Sequence, residues 1–100
     1  MDKLTLKLFV TGYNGKSERA IHNLRHICDD WLKVDYELTI IDVLESPHIA
    51  SQEHILATPT LIKVLPLPAR RLIGDLSETE LVLRELDLSM TGRPGAKNSE

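Results

Sequence analysis

The sequence LTLKLFVTGYNGKSERAIHNLRHICDDWLKVDYELTIID, residues 4–42, has the pattern of a strand, a helix and a second strand. In its first seven residues, Leu4, Leu6 and Leu8 occupy alternate positions, and this period of two predicts a strand over residues 4–10. The β-branched and apolar run YELTIID predicts a second, buried strand at its end. Because a helix separates them, the two strands are expected to be parallel, in a βαβ unit with a right-handed crossover.

The helix between the two strands is predicted from its loop and from its apolar spacing. The preceding loop contains the turn-forming pair Asn14 and Gly15, and Ser17 is expected to cap the helix that follows. Apolar side chains then recur every three or four residues, which predicts one buried helix face. That face is formed by Ile21, Leu24, Cys28 and Trp31.

The middle of the chain contains shorter elements. Ser46 and Pro47 predict the start of a short helix that extends to His54, with serine as the cap and proline at the first helical position. Two further strands are predicted over residues 61–65 and 70–73, on either side of a proline-containing turn.

The end of the chain predicts a last helix and a tail. The capping box SETE (77–80) predicts a helix that continues to about Met90. Its leucines also fit strand-like alternation, so the secondary structure of this segment stays ambiguous from the pattern alone. Residues 1–90 are expected to form one domain, and the turn-rich residues 91–100 a disordered tail.

The composition argues against several functional classes. The chain has 100 residues, a formal net charge of -3 and a pI of about 5.8, so no basic field attracts nucleic acid or membrane lipid. Cys28 is the only cysteine, which prevents an internal disulfide and favours a reducing cytoplasm. No apolar run approaches the roughly 20 residues of a membrane helix, and no secretion signal is recognisable. The protein is therefore expected to be soluble and cytoplasmic.

The element order βαβαββα, with TPT (58–60) just before the third strand, is similar to that of the thioredoxin fold. Thioredoxins carry Cys-x-x-Cys at the start of the first helix, but the matching loop (11–17) contains no cysteine. Cys28 lies far along the helix, where the helix dipole does not lower its pKa. His22 and His26 supply only two of the three or four ligands that zinc needs. No catalytic residue, metal ligand or cofactor site is predicted.

Four motifs resemble the KaiB family of bacterial clock proteins. They are LKLFVTG (6–12), IDVLESP (41–47), ILATPTLIKVLPLPARRLIGDLS (55–77) and LDLS (86–89). The resemblance extends from about Leu4 to Leu88. The tail TGRPGAKNSE departs from the acidic ending of cyanobacterial members, which disfavours KaiA as a partner in a three-protein oscillator.

The resemblance implies a non-catalytic regulator that binds KaiC, a hexameric ATPase, in circadian timing or in a related stress response. It also implies two folds of one sequence. The ground state, of order βαββααβ, forms homo-oligomers (dimers or tetramers), and the binding-competent state is a thioredoxin-like monomer of order βαβαββα. The two folds share the N-terminal βαβ half, and the half from about Ser51 onward rearranges. The ground state is the form expected to be favoured.

The family match and the distribution of charge predict two groups of functional residues. The residues expected to set the balance between the two folds are Thr58, Pro59, Gly74 and Asp75. The cations expected to pair with carboxylates of the partner are Arg19, Lys63, Arg70 and Arg71. Two other functions stay open, namely a thioredoxin-fold redox protein and a stand-alone KaiB-like sensor domain.

Overall fold

The alternating leucines of the first strand form the centre of the molecule. A computed structural model of the protein describes residues 3–86. The first strand, β1 (Leu4–Val10), lies inside a four-stranded sheet of order β2-β1-β3-β4. Leu4, Leu6 and Leu8 are almost completely buried, as their period of two predicts.

The remaining elements follow the thioredoxin-like order. They are α1 (Gly15–His26), a π-helical segment that continues it (Ile27–Leu32), β2 (Tyr36–Asp42), α2 (Pro47–Gln52), β3 (Thr60–Leu65), β4 (Arg70–Ile73) and α3 (Thr79–Leu86). This order is βαβαββα, so the predicted fold class is confirmed, and the structure has the binding-competent order rather than the expected ground-state order. The predicted helix end near Met90 and the predicted tail, residues 91–100, lie outside the described residues.

The sheet is mixed. β1 and β2 are parallel, as predicted, with Leu4 opposite Tyr36. β3 is antiparallel to β1 and to β4. The prediction that β2 is buried is wrong, because β2 is an outer strand whose residues are half-buried or exposed.

The two faces of the sheet are covered unequally. Alternate residues of β1 pack with α1 and α3 in the main core, which includes Leu24, Val82 and Leu86. The opposite face buries Phe9 and Ile62. α2 reaches this face through Glu53, the residue after its end, and none of its six residues is buried. This thin cover therefore needs polar contacts to hold it in place.

Two cations hold the end of α2 against the sheet. The Lys7 Nζ donates a hydrogen bond to Glu53 Oε2 at 3.2 Å. The Arg71 guanidinium donates to the main-chain oxygens of Glu53 and, at 3.4 Å, of His54. Lys7 lies on β1 and Arg71 on β4, so this clamp joins the N-terminal half of the chain to the C-terminal half.

The start of α1 differs from the prediction. Asn14, and not Ser17, is the capping residue, and its Oδ1 accepts hydrogen bonds from the backbone N–H groups of Lys16 and Ser17. The Ser17 hydroxyl instead accepts from the Asn14 N–H at 2.8 Å, which completes a reciprocal capping box. The turn depends on Gly12, whose φ is +66°, while Gly15 is already helical.

The π-helical segment explains why one predicted core residue is exposed. The Lys33 N–H donates to the Cys28 carbonyl oxygen at 2.9 Å, a bond that spans five residues. The wider turn changes the rotation of the following side chains, so Ile27 and Cys28 are buried while Trp31 is 59% exposed. The prediction that Trp31 belongs to the buried face is therefore wrong.

The predicted strands of the second half are confirmed, but two helix ends differ. α2 begins at Pro47 as predicted, whereas the Ser46 side chain makes no capping hydrogen bond and the helix ends at Gln52. α3 begins at Thr79, two residues after the predicted cap Ser77. The Ser77 N–H donates to the Asp75 carboxylate at 3.1 Å, because the chain is still turning there. No helix in residues 3–86 has the length and hydropathy needed to span a membrane.

Candidate functional site at the carboxyl end of β1

Three loops meet where β1 ends and β3 begins. Asp42 joins two of them, because its Oδ1 accepts hydrogen bonds from the N–H of Gly12 at 3.0 Å and of Leu44 at 2.9 Å. The third loop is joined by the hydroxyls of Thr11 and Thr58, which lie 2.7 Å apart. Residues distant in sequence are therefore held together at one end of the sheet.

The predicted fold-balance residues all lie in this region. The peptide bond before Pro59 is cis, and the Pro59 carbonyl oxygen accepts a hydrogen bond from the Gly74 N–H at 2.9 Å. Gly74 has a φ of +126°, a backbone conformation that residues with a Cβ rarely adopt. The structure thus places Thr58, Pro59, Gly74 and Asp75 beside one another, and their predicted effect on a fold balance stays a prediction.

Asp75 connects this region to α1. Its Oδ2 lies 3.5 Å from the Arg19 Nε, and its main-chain oxygen accepts a hydrogen bond from the Asn23 Nδ2 at 2.9 Å. Hydrogen bonds from Ser77, and secondarily Arg19, lower the pKa of the Asp75 carboxyl below its ordinary 3.8. Arg19 therefore lies at this end of the sheet, as part of an intramolecular ion pair.

Titration of Asp75 tests this arrangement. We expect carboxyl carbon NMR to give a pKa below 3.8, and Ser77→Ala to raise that pKa more than Arg19→Ala does, because Ser77 is the larger cause. A lowered folded-state pKa means that the ionised carboxylate stabilises the fold above about pH 4, and that this stabilisation is lost as the pH falls through the lowered value. A pKa at or above 3.8 in the unsubstituted protein would contradict the geometry.

An apolar surface surrounds the same end of the sheet. Tyr13, Leu44 and Leu56 are 63%, 68% and 94% exposed. Leu44 Cδ1 lies near Gly12, and Leu56 borders an open cleft of about 250 Å³. The cleft is lined by Thr11, Val43, Ala50, Ile55, Leu56, Ala57 and Thr58. We call the exposed side chains of Tyr13, Leu44 and Leu56, together with this cleft, the docking face.

Sequence reasoning missed the docking face. Leu44 and Leu56 belong to apolar motifs whose side chains are usually buried, and no periodic pattern distinguishes them from core leucines. Their exposure follows from the short α2, which leaves the loops at both its ends on the surface. The one sequence signal for these two leucines is that each lies in a loop between two predicted elements, where binding residues are common.

The four predicted partner-facing cations do not form one surface. Lys63 is 1% exposed, and its Nζ donates a hydrogen bond to the Leu86 main-chain oxygen at 2.6 Å, so it cannot contact a partner in this fold. Arg71 holds the end of α2. Arg70 is exposed at the start of β4, at the end of the sheet opposite to Arg19. Arg19 lies on the first turns of α1, at the carboxyl end of β1, where it pairs with Asp75.

Cys28 does not have the properties of a redox thiol. It is buried in the main core, and burial, with a smaller effect of the Asp29 charge, raises its pKa to about 12. The paired histidines of α1 do not converge on a metal position, since His26 Nδ1 lies 2.6 Å from Asp30 Oδ2. In the described part of the chain, no group of three or more potential ligands is assembled.

The fold and the loop cluster define a thioredoxin-like domain whose first helix begins without a pair of redox cysteines. A model of the KaiB domain matches residues 7–88, and the chain belongs to the KaiB family. It is 48% identical over 92 residues to the circadian clock protein KaiB3 of Synechocystis sp., covering 92% of this chain and 90% of the relative. The KaiB resemblance predicted from the sequence is confirmed.

Two solved structures show the same fold. The N-terminal domain of SasA from Synechococcus elongatus superimposes with a TM-score of 0.73 at 23% identity, covering 91% of this chain and 86% of that domain. Chloroplastic thioredoxin z superimposes with a TM-score of 0.68 at 19% identity, covering 91% and 81%. The chain is therefore a KaiB-like clock-family protein with the thioredoxin-like arrangement.

Proposed function

We propose that the chain is a non-catalytic, cytoplasmic regulator that binds a KaiC-type hexameric ATPase through the docking face. Membership of the KaiB family supports this partner, because the resemblance to that family implies binding to KaiC. The observation that carries the proposal is the exposure of Tyr13, Leu44 and Leu56 around one cleft, because exposed large apolar side chains that cluster mark interaction sites.

The docking face has the composition of a binding hot spot. An aromatic and two leucine side chains provide apolar area that a partner can bury, and the cleft beside Leu56 can accept an apolar side chain from that partner. Lys16 and Arg19 on the first turns of α1 provide a cationic rim for carboxylates of the partner. Of the four cations predicted for partner binding, Arg19 is thus the one we assign to this contact.

The docking face depends on the thioredoxin-like order of the second half. Leu56 and Thr58 precede β3, and they meet the loop after β1 because β3 pairs antiparallel with β1. A rearranged second half would separate these contacts. Molecules with the ground-state order lack the assembled docking face. The apparent affinity for the ATPase is therefore reduced to the intrinsic affinity multiplied by the fraction of molecules that have the face.

The redox alternative requires a thiol that is ionised near neutral pH. Burial raises the pKa of Cys28 to about 12, so the thiol is protonated near neutral pH. It also lies in the core and not at the docking face. We therefore do not assign thiol chemistry to this protein.

Mixing the chain with the KaiC-type ATPase of the same cell tests the proposal. We expect size-exclusion chromatography with light scattering to show a complex that neither component forms alone, and we expect no insulin reduction by the chain. Failure to form a complex with or without ATP, together with turnover in the insulin assay, would contradict the proposed function. The same chromatography with added KaiA tests the expectation that the tail of this chain disfavours KaiA as a partner.

A further inference from the structure

A row of three side chains crosses the sheet beside the end of α2. Lys7 of β1 lies opposite Ile62 of β3, and Ile62 lies opposite Arg71 of β4. Residues that lie directly opposite each other project on the same face of a sheet, so the two cations flank a buried isoleucine. Because adjacent strands are about 4.8 Å apart, the backbones of the two cationic residues are separated by about 10 Å. One side chain above the middle of the row can therefore contact both cations.

Glu53 occupies this central position. Its Oε2 accepts a hydrogen bond from the Lys7 Nζ at 3.2 Å, and its Oε1 lies 4.0 Å from the Arg71 guanidinium. Arg71 also donates to the main-chain oxygens of Glu53 and His54. The clamp thus binds one carboxylate and two consecutive carbonyl groups. A guanidinium suits this arrangement because its N–H groups diverge in a rigid fork, which the ammonium group of lysine lacks.

The clamped residues lead directly into the docking face. His54 has a φ of +58°, a backbone conformation that is unfavourable for a residue with a Cβ, so outside contacts help to hold the turn. The Ile55 N–H then donates to the last turn of α2, and the Thr58 hydroxyl is hydrogen-bonded to the loop after β1. Residues 53–58 are therefore held by side-chain contacts at both ends, with the exposed Leu56 between them.

We infer that Lys7 and Arg71 are positioning residues for the docking face, which act through the Glu53 segment and do not contact the partner. No residue of α2 is buried, so apolar packing holds this segment weakly. Segments with few buried contacts open locally more readily than the core, and the clamp opposes that opening. The inference rests on the proposed function in one respect, namely that residues 53–58 belong to the surface that binds the ATPase.

Native-state hydrogen exchange in the full-length chain tests the hold on the segment. We expect Arg71→Gln to make the Ile55 amide exchange at least about fivefold faster, while the amides of β1, which report global unfolding, stay within about twofold. Arg71→Lys should give an intermediate rate, because it keeps the charge without the fork. Arg84→Gln is the matched control, since Arg84 is exposed on α3, and it should leave the Ile55 rate within about twofold.

Binding kinetics with the KaiC-type ATPase test the consequence for the docking face. Molecules with an open segment must close before Leu56 can bind, so Lys7→Gln combined with Arg71→Gln should lower the association rate constant at least about threefold. The dissociation rate constant should stay within about 1.5-fold, because a closed molecule presents the same contacts. Lys3→Gln combined with Arg84→Gln removes two charges from exposed positions outside the clamp and should change neither constant by more than about 1.5-fold.

Three results would overturn the inference. They are an unchanged exchange rate at Ile55, an equal acceleration of exchange in β1, and a loss of affinity that resides in the dissociation rate constant. The last result would indicate a direct contact of Arg71 with the partner. If the original chain does not bind the ATPase at all, the proposed function fails, and the exchange rate at Ile55 still decides whether the clamp holds residues 53–58.

Discussion

Replacing Leu56 by glutamate is expected to weaken binding to a KaiC-type ATPase about 30-fold or more. Leu56 is 94% exposed beside the cleft, so it contributes almost nothing to the core of the free protein. In a complex, the same position would bury a charge without a partner, and loss of a central apolar contact alone costs about 2 kcal/mol or more. Isothermal titration calorimetry of the ATPase with each variant measures this change.

The hairpin between β3 and β4 provides the matched control for this substitution. Leu67 is also a largely exposed leucine, at 73%, but it lies at the opposite end of the sheet, near Arg70. Leu67→Glu should leave the affinity for the ATPase within about twofold of that of the original chain. The free energy of unfolding of both variants should lie within about 0.5 kcal/mol of that of the original chain. The opposite pattern, with Leu67→Glu weakening binding and Leu56→Glu neutral, would move the contact to the hairpin and contradict the docking face.

The strands were predictable because their patterns follow from burial on one face. Leu4, Leu6 and Leu8 occupy alternate positions because the sheet has one deeply buried face. A period of two in the sequence therefore predicts both the strand and its buried side. The same argument failed for the burial of β2. A run of β-branched and apolar residues does not distinguish a central strand from an outer strand with a free edge, because neighbours in the sheet decide burial.

The errors in α1 have local physical causes. Asn14 and Ser17 are both good capping residues, and each uses its side chain in the reciprocal capping box, so composition alone does not decide which one precedes the helix. Trp31 fits a regular helical period, but the π-helical turn breaks that period. The residue types of the π-helical segment do not predict the additional residue in its turn.

The site was only partly predictable. The family match predicts Gly74 and Asp75, and the TPT segment adds Thr58 and Pro59. The antiparallel pairing of β3 brings the four residues together, which spacing along the chain does not reveal. The charge of Lys63 predicts a surface position. It lies instead on the core face of β3, in register with Leu6, where its ammonium group donates to a carbonyl oxygen.

The largest loss of stability is expected for Leu8→Ala. Leu8 is completely buried at the centre of the sheet, with neighbours on both β2 and β3, so the shortened side chain leaves a cavity that the surrounding strands can fill only in part. We expect the free energy of unfolding to fall by about 2–5 kcal/mol, from a total of about 5–15 kcal/mol for a domain of this size. Urea unfolding followed by circular dichroism measures the change.

Leu44→Ala removes the same atoms from an exposed side chain and should change the free energy of unfolding by less than about 0.5 kcal/mol. The comparison separates burial from residue type, because both substitutions shorten a leucine. Leu8 belongs to the βαβ half that the KaiB resemblance assigns to both folds. Leu8→Ala should therefore lower the free energy of unfolding of either fold by a similar amount. The ratio of the two folded forms should change little. A loss below about 1 kcal/mol would show that β1 is not the centre of the core.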